Sequence, residues 1–396
     1  MADVTHQDTL GAAPSTDLFQ ILRDGKARTR SELAAMTGLA RSTVAARVDS
    51  LVKLGLVGPV GDAVSTGGRP SSQFAINASG RVVLGVDIGA SHARIAVCDL
   101  TGAMIDHDSV AIEISEGPQA VLGWVEKSGT ALLERHGARK GLLAIGVGLP
   151  GPVEHSTGLP IDPPIMPGWD RYDVPAHLGS TFDVPVLVDN DVNIMALGER
   201  DVAWPGVDHF IFVKVATGIG SGVISGGYLQ RGAQGIAGDI GHVYVPSGKD
   251  ILCRCGNFGC LEAVAAGPAI ARTLQEQGFA VETSQEVIDL VRAGNTAAVR
   301  AVREAGRTIG EVLTTCVSII NPAVIVLGGS LALAGEHLLA GAREVVYRRS
   351  MPLATGHLQI AQSRSGGNAA VQGASMLAVH HALSPERIEA LLGTTR

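Results

Sequence analysis

Charged and aromatic side chains are scarce in this chain. Charged residues make up 17% and aromatic residues 4% of the 396 residues, whereas hydrophobic residues make up 46%. This much apolar material excludes disorder of the whole chain and predicts globular cores built from small aliphatic side chains. The length is about 2.6 times that of a roughly 150-residue domain, so we expect two or three domains.

Disulfides, a signal segment and a membrane span are not expected. The five cysteines are too few for a disulfide scaffold of this size, and the first ten residues contain no apolar signal core. The most apolar stretch, residues 319–335, is interrupted by Asn321-Pro322 and Gly328-Gly329 before it reaches the roughly 20 residues of a membrane helix. We therefore expect a cytoplasmic protein in a reducing compartment, with no membrane partner.

The first 77 residues differ from the rest in charge and pattern. The net charge is −7 overall, but residues 16–77 hold eight Lys or Arg against five Asp or Glu. After residues 1–15, which we expect to be flexible, three segments with helical spacing surround a turn at Gly38, and strand-like ends flank the glycine-rich sequence STGGRPSS. Residues 16–77 therefore predict a winged helix-turn-helix domain that binds DNA. A helical cap for protein contacts is the alternative.

The predicted DNA contacts lie on the second helix of the motif and on the wing. Basic and hydroxyl side chains at these places can reach phosphates and base edges, although each arginine can also be an ordinary solvated charge. The candidates are Arg41, Ser42, Thr43, Arg47 and Arg69.

Strand ends in the remaining chain carry residues that suit phosphate binding. The apolar strand VVLGVDIG ends at Asp87 and forms a predicted hairpin with ARIAVCDL, and a carboxylate there can orient Mg²⁺-bound water. Two glycine-rich turns can cradle a phosphate or adenosine: one holds Thr217, Gly218, Gly220 and Gly222 between two strands, and the other is Gly328-Gly329. Simple hairpin and strand-helix turns are the alternative for both.

Two other strand ends lead to opposite conclusions. The Gly-x-Gly-x-x-Gly run from Gly146 to Gly151 is excluded as a dinucleotide site, because the prolines beside it prevent the helix N-terminus that a pyrophosphate requires. The strand PVLVDN runs into a helix at Asn190 and Asp191. Helix capping needs only one such side chain, so the pair predicts a binding site, with capping as the alternative.

Three of the five cysteines are concentrated in one loop. Cys253, Cys255 and Cys260 follow His242 in GHVYVPSGKDILCRCGNFGCLEA. Three thiolates and one imidazole complete a tetrahedral Zn²⁺ shell and leave no position for a catalytic water, so we predict structural zinc. Clustered free thiols are the alternative. Cys98 and Cys316 are expected to be ordinary buried residues.

The motifs together resemble the ROK family, whose name joins repressors, open reading frames and kinases. DIGASH is similar to its first phosphate motif, ATGIGSG to its second, VIVLGGSLA to its adenosine motif and CRCGNFGCLE to its zinc signature. The resemblance covers essentially everything after residue 15. It implies an α/β fold in which the winged helix-turn-helix precedes a two-lobed actin-like (ribonuclease H-like) body with a sugar in the cleft. The lobes would comprise residues 78–196 plus 375–396, and residues 197–374 with the zinc loop.

The resemblance also implies roles for individual residues. Sugar contacts would come from Asn190, Asp191, Asp239, His242 and Glu262, and Asp191 matches the general base of the kinases. If nucleotide binding is retained, with Mg²⁺ and ATP as cofactors, the phosphate motifs imply contacts from Asp87, Gly89, Ser91, Thr217, Gly218, Gly220, Gly328 and Gly329.

The chain departs from the family pattern at three places. The family usually has Glu where Asp239 stands, which shortens the carboxylate by one methylene. Kinases of the family usually have Gly-Thr where this chain has Ala90-Ser91, and Pro164 stands near the position of a common asparagine. The methyl group of Ala90 lies beside a turn that phosphate must approach, so nucleotide binding is a weaker expectation than sugar binding.

We therefore expect a sugar-responsive transcriptional regulator, a repressor of carbohydrate-utilisation genes that is similar to xylose-type and N-acetylglucosamine-type repressors. Its expected partners are operator DNA, a small sugar effector and a second copy of the chain in a homodimer or higher homo-oligomer, because symmetric half-sites require at least two copies. An ATP-dependent sugar kinase with Asp191 as the catalytic base is the alternative. A zinc-stabilised scaffold that binds neither DNA nor sugar is a third.

Overall fold

The computed structural model describes residues 18, 21–22, 25–62, 71–77 and 80–393. In this part of the chain an N-terminal winged helix-turn-helix is followed by two α/β lobes, each built on a five-stranded sheet. The predicted fold class is confirmed. Among the described residues, no helix combines the length and the apolar character that crossing a membrane requires.

The N-terminal module places two helices on a small antiparallel sheet of order β1-β3-β2. Thr29 and Glu32 form a capping box at the first helix, and Gly38 ends that helix with a φ of 70°. Leu18 and Leu22, which belong to the predicted first helical segment, are buried. The elements are β1 (Arg28–Thr29), α1 (Arg30–Thr37), α2 (Arg41–Lys53), β2 (Val57–Asp62) and β3 (Ser72–Ile76). The wing tip, residues 63–70, lies outside the described residues.

The first lobe contains a sheet of order β10-β7-β4-β5-β6. The predicted hairpin is confirmed, because β4 pairs with β5 in antiparallel orientation, while β7 and β10 run parallel to β4. Parallel strands bring Asp87 and Asn190 to the same edge of the sheet. The elements are β4 (Val82–Ile88), β5 (Ala93–Asp99), β6 (Met104–Val110), α3 (Pro118–Arg135), β7 (Leu142–Leu149), β8 (Val153–Glu154), β9 (Leu159–Pro160), α4 (Val174–Phe182) and β10 (Val186–Asn190).

The second lobe contains a sheet of order β13-β12-β11-β14-β15. Its largest buried cluster lies between this sheet and the long helix α9, which packs along α10. The elements are β11 (Phe210–Val215), β12 (Ile219–Ser225), β13 (Tyr228–Gln230), α6 (Leu261–Ala265), α7 (Gly267–Glu276), α8 (Ser284–Arg292), α9 (Thr296–Ile320), β14 (Val324–Gly328), α10 (Glu336–Arg349), α11 (Pro352–Thr355) and β15 (Gln359–Gln362).

Two helices lie between the sheets and join the lobes. The helix α5 (Asp191–Ala203) packs on β11 and β12, whereas α12 (Ala369–Ala382) packs on β4 and β7, and the two helices cross each other. A Cβ at Gly373 would lie 1.6 Å from the carbonyl oxygen of Ile194. Only glycine permits so close an approach of two backbones. A last helix, α13 (Pro385–Gly393), follows α12.

The lobe boundaries predicted from the sequence are not tested by this arrangement. Helix α5 continues across the boundary predicted after residue 196, and α12 begins before the predicted return at residue 375. Both helices belong to the interface between the sheets, so the residue limits of each lobe stay predictions.

We expect Gly373→Ala to destabilise the protein, because the added methyl group meets the backbone of α5 and the helices must separate. Overpacking of this kind costs about 1–3 kcal/mol. Gly123→Ala in α3 is the matched control, since a Cβ there meets no atom within 4 Å and alanine favours the helix. Thermal unfolding should show a lower midpoint for Gly373→Ala and an unchanged or higher one for the control. Equal stability of both variants would contradict the close crossing.

Candidate cleft site, metal centre and nucleic-acid interface

Three buried carboxylates lie at the strand ends of the first lobe. Asp87 and Asp189 are each the second-to-last residue of a strand, β4 and β10 respectively. Asp191 is the first residue of α5. Their exposed fractions are 5%, 3% and 5%. A buried carboxylate is unfavourable unless it is paired or hydrogen-bonded, so the partners of these three groups decide the chemistry of the cleft.

Asp191 is paired with a lysine from the second lobe. The Lys214 Nζ on β11 lies 2.5 Å from the Asp191 Oδ2. Burial of the ammonium works against its charge, but Asp191 and then Asp87 outweigh burial and raise the pKa of Lys214. Lys214 was not among the site residues predicted from the sequence, because it is a single polar residue within the apolar strand β11.

Asp189 is paired with an arginine that also comes from the second lobe. The Arg231 Nε donates to the Asp189 Oδ2 at 2.7 Å, and the Asn193 side-chain amide donates to the Oδ1 at 2.8 Å. The sequence analysis missed both Asp189 and Arg231. The Asp-Asn-Asp run indicates that Asp189 lies near a polar site. The arginine that pairs with Asp189 is 42 residues away along the chain.

Asn190 performs the capping role that the sequence left open. Its Oδ1 accepts from the Val192 backbone N–H at 2.9 Å, and its Nδ2 donates to the carbonyl oxygen of Gly151 at 3.0 Å. The side chain is half-buried at the first turn of α5. A sugar hydroxyl that binds Asn190 would share the Oδ1 with the Val192 N–H or the Nδ2 with the Gly151 carbonyl oxygen. Sugar binding by Asn190 stays a prediction.

The sugar-contact candidates of the second lobe lie around one carboxylate. A Cβ at Gly218 would lie 2.9 Å from the Glu262 Oε2, so the Glu262 carboxylate lies against the turn after β11. Burial, and then the nearby Glu262, raise the pKa of Asp239, and His242 opposes this shift. Asp239 therefore lies within electrostatic range of both His242 and Glu262, and sugar binding by these three residues stays a prediction.

The turn between β11 and β12 is shorter than the sequence predicts. Thr217 and Gly218 lie in the turn, but Gly220 and Gly222 lie inside β12. A Cβ at Gly222 would lie 2.5 Å from the Ala196 side chain. The glycines of β12 are therefore required for packing against α5, which is a different physical reason from a phosphate cradle.

The four predicted metal ligands converge. The ligand atoms of His242, Cys253, Cys255 and Cys260 all lie within 4.8 Å of one another. The His242 Nδ1 and Cys253 Sγ are 3.7 Å apart, and the Cys255 and Cys260 Sγ atoms are 3.6 Å apart. A tetrahedral ion with metal–sulfur bonds of about 2.3 Å separates its sulfur ligands by about 3.8 Å. The residues therefore fit a metal ion, and the cluster can hold one.

Short backbone bridges shape the loop that carries the four residues, and its thiols differ in their pKa values. Short bridges join Tyr244 to Cys260 and Leu252 to Phe258. Burial, together with hydrogen bonds to neighbouring acceptors, raises the pKa of Cys253 to about 12. Burial opposes ionisation of Cys255 as well, but hydrogen bonds from the Asn257 backbone and the other thiols lower the pKa of Cys255 to about 7. Cys98 is buried as predicted, and Cys316 is half-buried.

The loop of the predicted first phosphate motif, after β4, contains a histidine, His92, whose ring contacts other residues of the same loop. The His92 Nε2 lies 3.2 Å from the Asp87 Oδ2, and a Cβ at Gly89 would lie 2.2 Å from the His92 ring. The ring therefore covers Gly89. Ser91 is exposed beside it. In the second lobe, Gly329 has a φ of 84° at the end of β14, and a Cβ at Gly328 would meet the Phe212 ring.

Four of the five candidate DNA-contact residues lie in the first two turns of α2. Arg41 and Ser42 are exposed, and Thr43 and Arg47 are half-buried one turn apart. The Arg30 guanidinium links this helix to the sheet, because its Nη2 lies 2.5 Å from the Asp49 Oδ1 and its Cζ lies 4.6 Å from the Phe74 ring centre. Arg69 lies outside the described residues.

Comparison with known proteins shows the class of the chain. A profile of the ROK family matches residues 83–381, and a winged helix-turn-helix DNA-binding profile matches residues 18–57. The chain belongs to the ROK family.

Individual relatives cover most of the chain. The xylose repressor of Caldicellulosiruptor bescii is 28% identical over 385 residues, which are 93% of this chain and 95% of that protein. A solved ROK family transcriptional regulator, described as a homolog of the E. coli MLC protein, shares the fold with a TM-score of 0.82 at 22% identity, covering 96% of this chain and 98% of that one. The ROK hexokinase from Thermus thermophilus has a TM-score of 0.66 at 31% identity and covers 76% of this chain and 99% of its own.

We expect Arg231→Met to destabilise the protein by about 3 kcal/mol, because it leaves the buried Asp189 carboxylate without its cation. The double variant Arg231→Met/Asp189→Asn removes the stranded charge and should recover part of the loss. Arg348→Met, at an exposed position of α10, is the control and should leave stability unchanged. Denaturant unfolding of these variants and of the single variant Asp189→Asn checks the prediction, and additive effects of Arg231→Met and Asp189→Asn would contradict a direct ion pair.

Proposed function

We propose that this protein is a sugar-responsive DNA-binding repressor. The observation that carries the proposal is the union of a winged helix-turn-helix and a ROK body in one chain, with a named repressor similar over nearly the full length of both proteins. The helix-turn-helix would bind operator DNA, and the body would bind a small sugar.

The sugar would bind where the ends of both sheets meet. Asp191 and Asn190 from the first lobe and Asp239, His242 and Glu262 from the second offer carboxylate, amide and imidazole groups to ring hydroxyls. The contacts of Val192 with Gly220 and of Ile219 with Gly241 connect the two groups of residues. A hydrogen bond to a charged group contributes about 1.5–3 kcal/mol, so loss of one such contact should weaken binding about tenfold or more.

We propose that the metal at the four-residue cluster is structural zinc. The imidazole and thiolate donors are those that Zn²⁺ prefers, and four protein ligands leave no position for substrate. The Cys253 thiol lies 3.4 Å from the Glu262 Oε1. The ion would thereby stabilise the loop that carries His242 and the neighbouring sugar-contact candidate Glu262.

DNA would bind through Arg41, Ser42, Thr43 and Arg47 at the start of α2, with Arg69 on the wing. Helix-turn-helix proteins insert such a helix into the major groove, and paired half-sites require a homodimer or higher homo-oligomer. Sugar binding would alter the relation of the two lobes and thereby the spacing of two DNA-binding modules.

One buried hydrophobic cluster supports this coupling. It contains Leu33, Val48 and Leu51 of the DNA-binding module together with Ala378 and Ile388 of α12 and α13. In addition, the Arg81 Nε donates to the carbonyl oxygen of Leu54 at 2.9 Å. A shift of α12 at the interface between the lobes therefore has a direct mechanical route to the helix-turn-helix.

A sugar kinase is the second candidate, favoured by the presence of Asp191 and by the 31% identity to the Thermus thermophilus hexokinase. Asp191 would then accept the proton of a sugar hydroxyl. Steady ADP release with ATP, Mg²⁺ and a sugar, lost in Asp191→Asn while sugar binding persists, would establish this activity.

A gel-shift assay with duplex DNA from the promoter region of the chain's own gene tests the repressor proposal. We expect one of a panel of pentoses, hexoses and amino sugars to change the affinity for DNA. For Asp191→Asn, the sugar concentration that gives half of this effect should rise at least about tenfold. Arg41→Ala should weaken DNA binding and leave the affinity for the sugar unchanged. Arg300→Ala, on an exposed position of α9, is the control. The proposal fails if no sugar changes DNA binding.

Metal analysis of the purified protein tests the zinc assignment. We expect about one equivalent of zinc in the wild type and its loss in Cys255→Ser, since three ligands hold the ion far more weakly than four. Cys316→Ser, outside the cluster, should keep the metal. Zinc content that does not differ between the two variants would refute the assignment.

A further inference from the structure

The two carboxylates that a kinase reaction would need, Asp87 for Mg²⁺-bound water and Asp191 as the base, are already bound by basic side chains of this chain. Asp191 contacts the Lys214 ammonium at 2.5 Å, and Asp87 contacts the His92 imidazole at 3.2 Å. Lys214 lies on β11 of the second lobe, whereas both carboxylates belong to strand ends of the first lobe. The Lys214–Asp191 pair therefore joins the two lobes, whereas the His92–Asp87 pair lies within the first lobe.

The surroundings keep the lysine charged. Its side chain is largely buried, with 26% exposed, and Asp191 and Asp87 both act on the ammonium. An ammonium that has left water stays charged only when such partners offset the loss of hydration. The charge of Lys214 is thus stabilised by its contact with Asp191 and, at longer range, by Asp87.

The same geometry does not suit Mg²⁺ and a phosphate chain. Mg²⁺ requires oxygen ligands at about 2.0–2.1 Å in octahedral geometry, but the Asp191 Oδ2 already accepts from Lys214 and the Asp87 Oδ2 lies against His92. The His92 ring also covers Gly89, the backbone position that a phosphate of the first motif would approach.

We infer that Lys214 is the resident cation of this cleft: its ammonium takes the place of a divalent ion beside Asp191 and makes the cleft a sugar-binding site that works without Mg²⁺ and ATP. The inference rests on the proposed sugar-responsive function and deepens it. Lys214 holds one oxygen of Asp191 and leaves the other to accept a sugar hydroxyl. Its remaining N–H groups can donate to a sugar oxygen. Lys214 is therefore a positioning and specificity-determining residue.

Removal of the ammonium should create the divalent site that it replaces. In Lys214→Met, Asp191 and Asp87 remain buried without a strong cation, so Mg²⁺ should bind and stabilise the folded state. At ten times its dissociation constant, the ion should raise the unfolding midpoint by about 3 °C. The midpoints of the wild type, Lys214→Arg and the exposed control Lys127→Met should not respond to MgCl₂. The double variant Lys214→Met/Asp191→Asn should lose the response.

A second measurement does not depend on the folding of any variant. Isothermal titration calorimetry of the wild-type protein with Mg²⁺-ATP should give no saturable binding. Saturable binding in this titration would overturn the inference. A folded Lys214→Met protein whose midpoint is independent of Mg²⁺ would also overturn it.

The sugar-dependent gel shift, performed in Mg²⁺-free buffer, separates this inference from the proposed function. A shift that persists without Mg²⁺ agrees with both. A shift that requires Mg²⁺ contradicts only the role of Lys214. If neither condition gives a sugar-dependent shift, the proposed repressor function itself is wrong.

Discussion

The helices α5 and α12 cross with backbone against backbone, because Gly198 and Gly373 place no side chain between them. Each helix also covers the inner face of a different sheet, so the crossing sets the distance between the lobes. Asp191 begins α5, and the predicted cleft therefore opens at the end of the helix that makes the crossing. Close packing transmits small displacements rather than absorbing them, so a ligand at this helix end can act on both lobes.

The buried carboxylates of the cleft depend on cations that come from elsewhere in the fold. Asp189 and Asp191 flank Asn190 on the same strand end, and each pairs with a basic side chain of the opposite lobe. Removing one member of such a pair leaves a buried charge without compensation, which is strongly unfavourable. The two pairs therefore connect the lobes, and they hold in place the carboxylate oxygens that we propose as acceptors for a sugar.

The loop with the four candidate metal ligands lies beside the sugar-contact candidates of the second lobe. Turns and short bridges bring three thiols and one imidazole together, and Glu262 lies in the first turn of α6, the helix that starts after Cys260. One side chain of the ligand set, Cys253, contacts the Glu262 carboxylate. A metal at this loop would thus control sugar contacts through the shape of the loop, without contacting the sugar.

Features that depend on local spacing follow from the amino-acid sequence alone. Helical periodicity around Gly38 predicts the DNA-binding module, apolar runs predict the strands that end at Asp87 and Asn190, and three cysteines within eight positions predict the metal cluster. The pairing of the buried carboxylates with basic side chains, in contrast, depends on tertiary packing. Lys214 and Asp191 are 23 residues apart, and Arg231 and Asp189 are 42 apart. Their pairing arises from the packing of two sheets on α5 and α12, and no periodicity along the chain encodes the distance between side chains on different lobes.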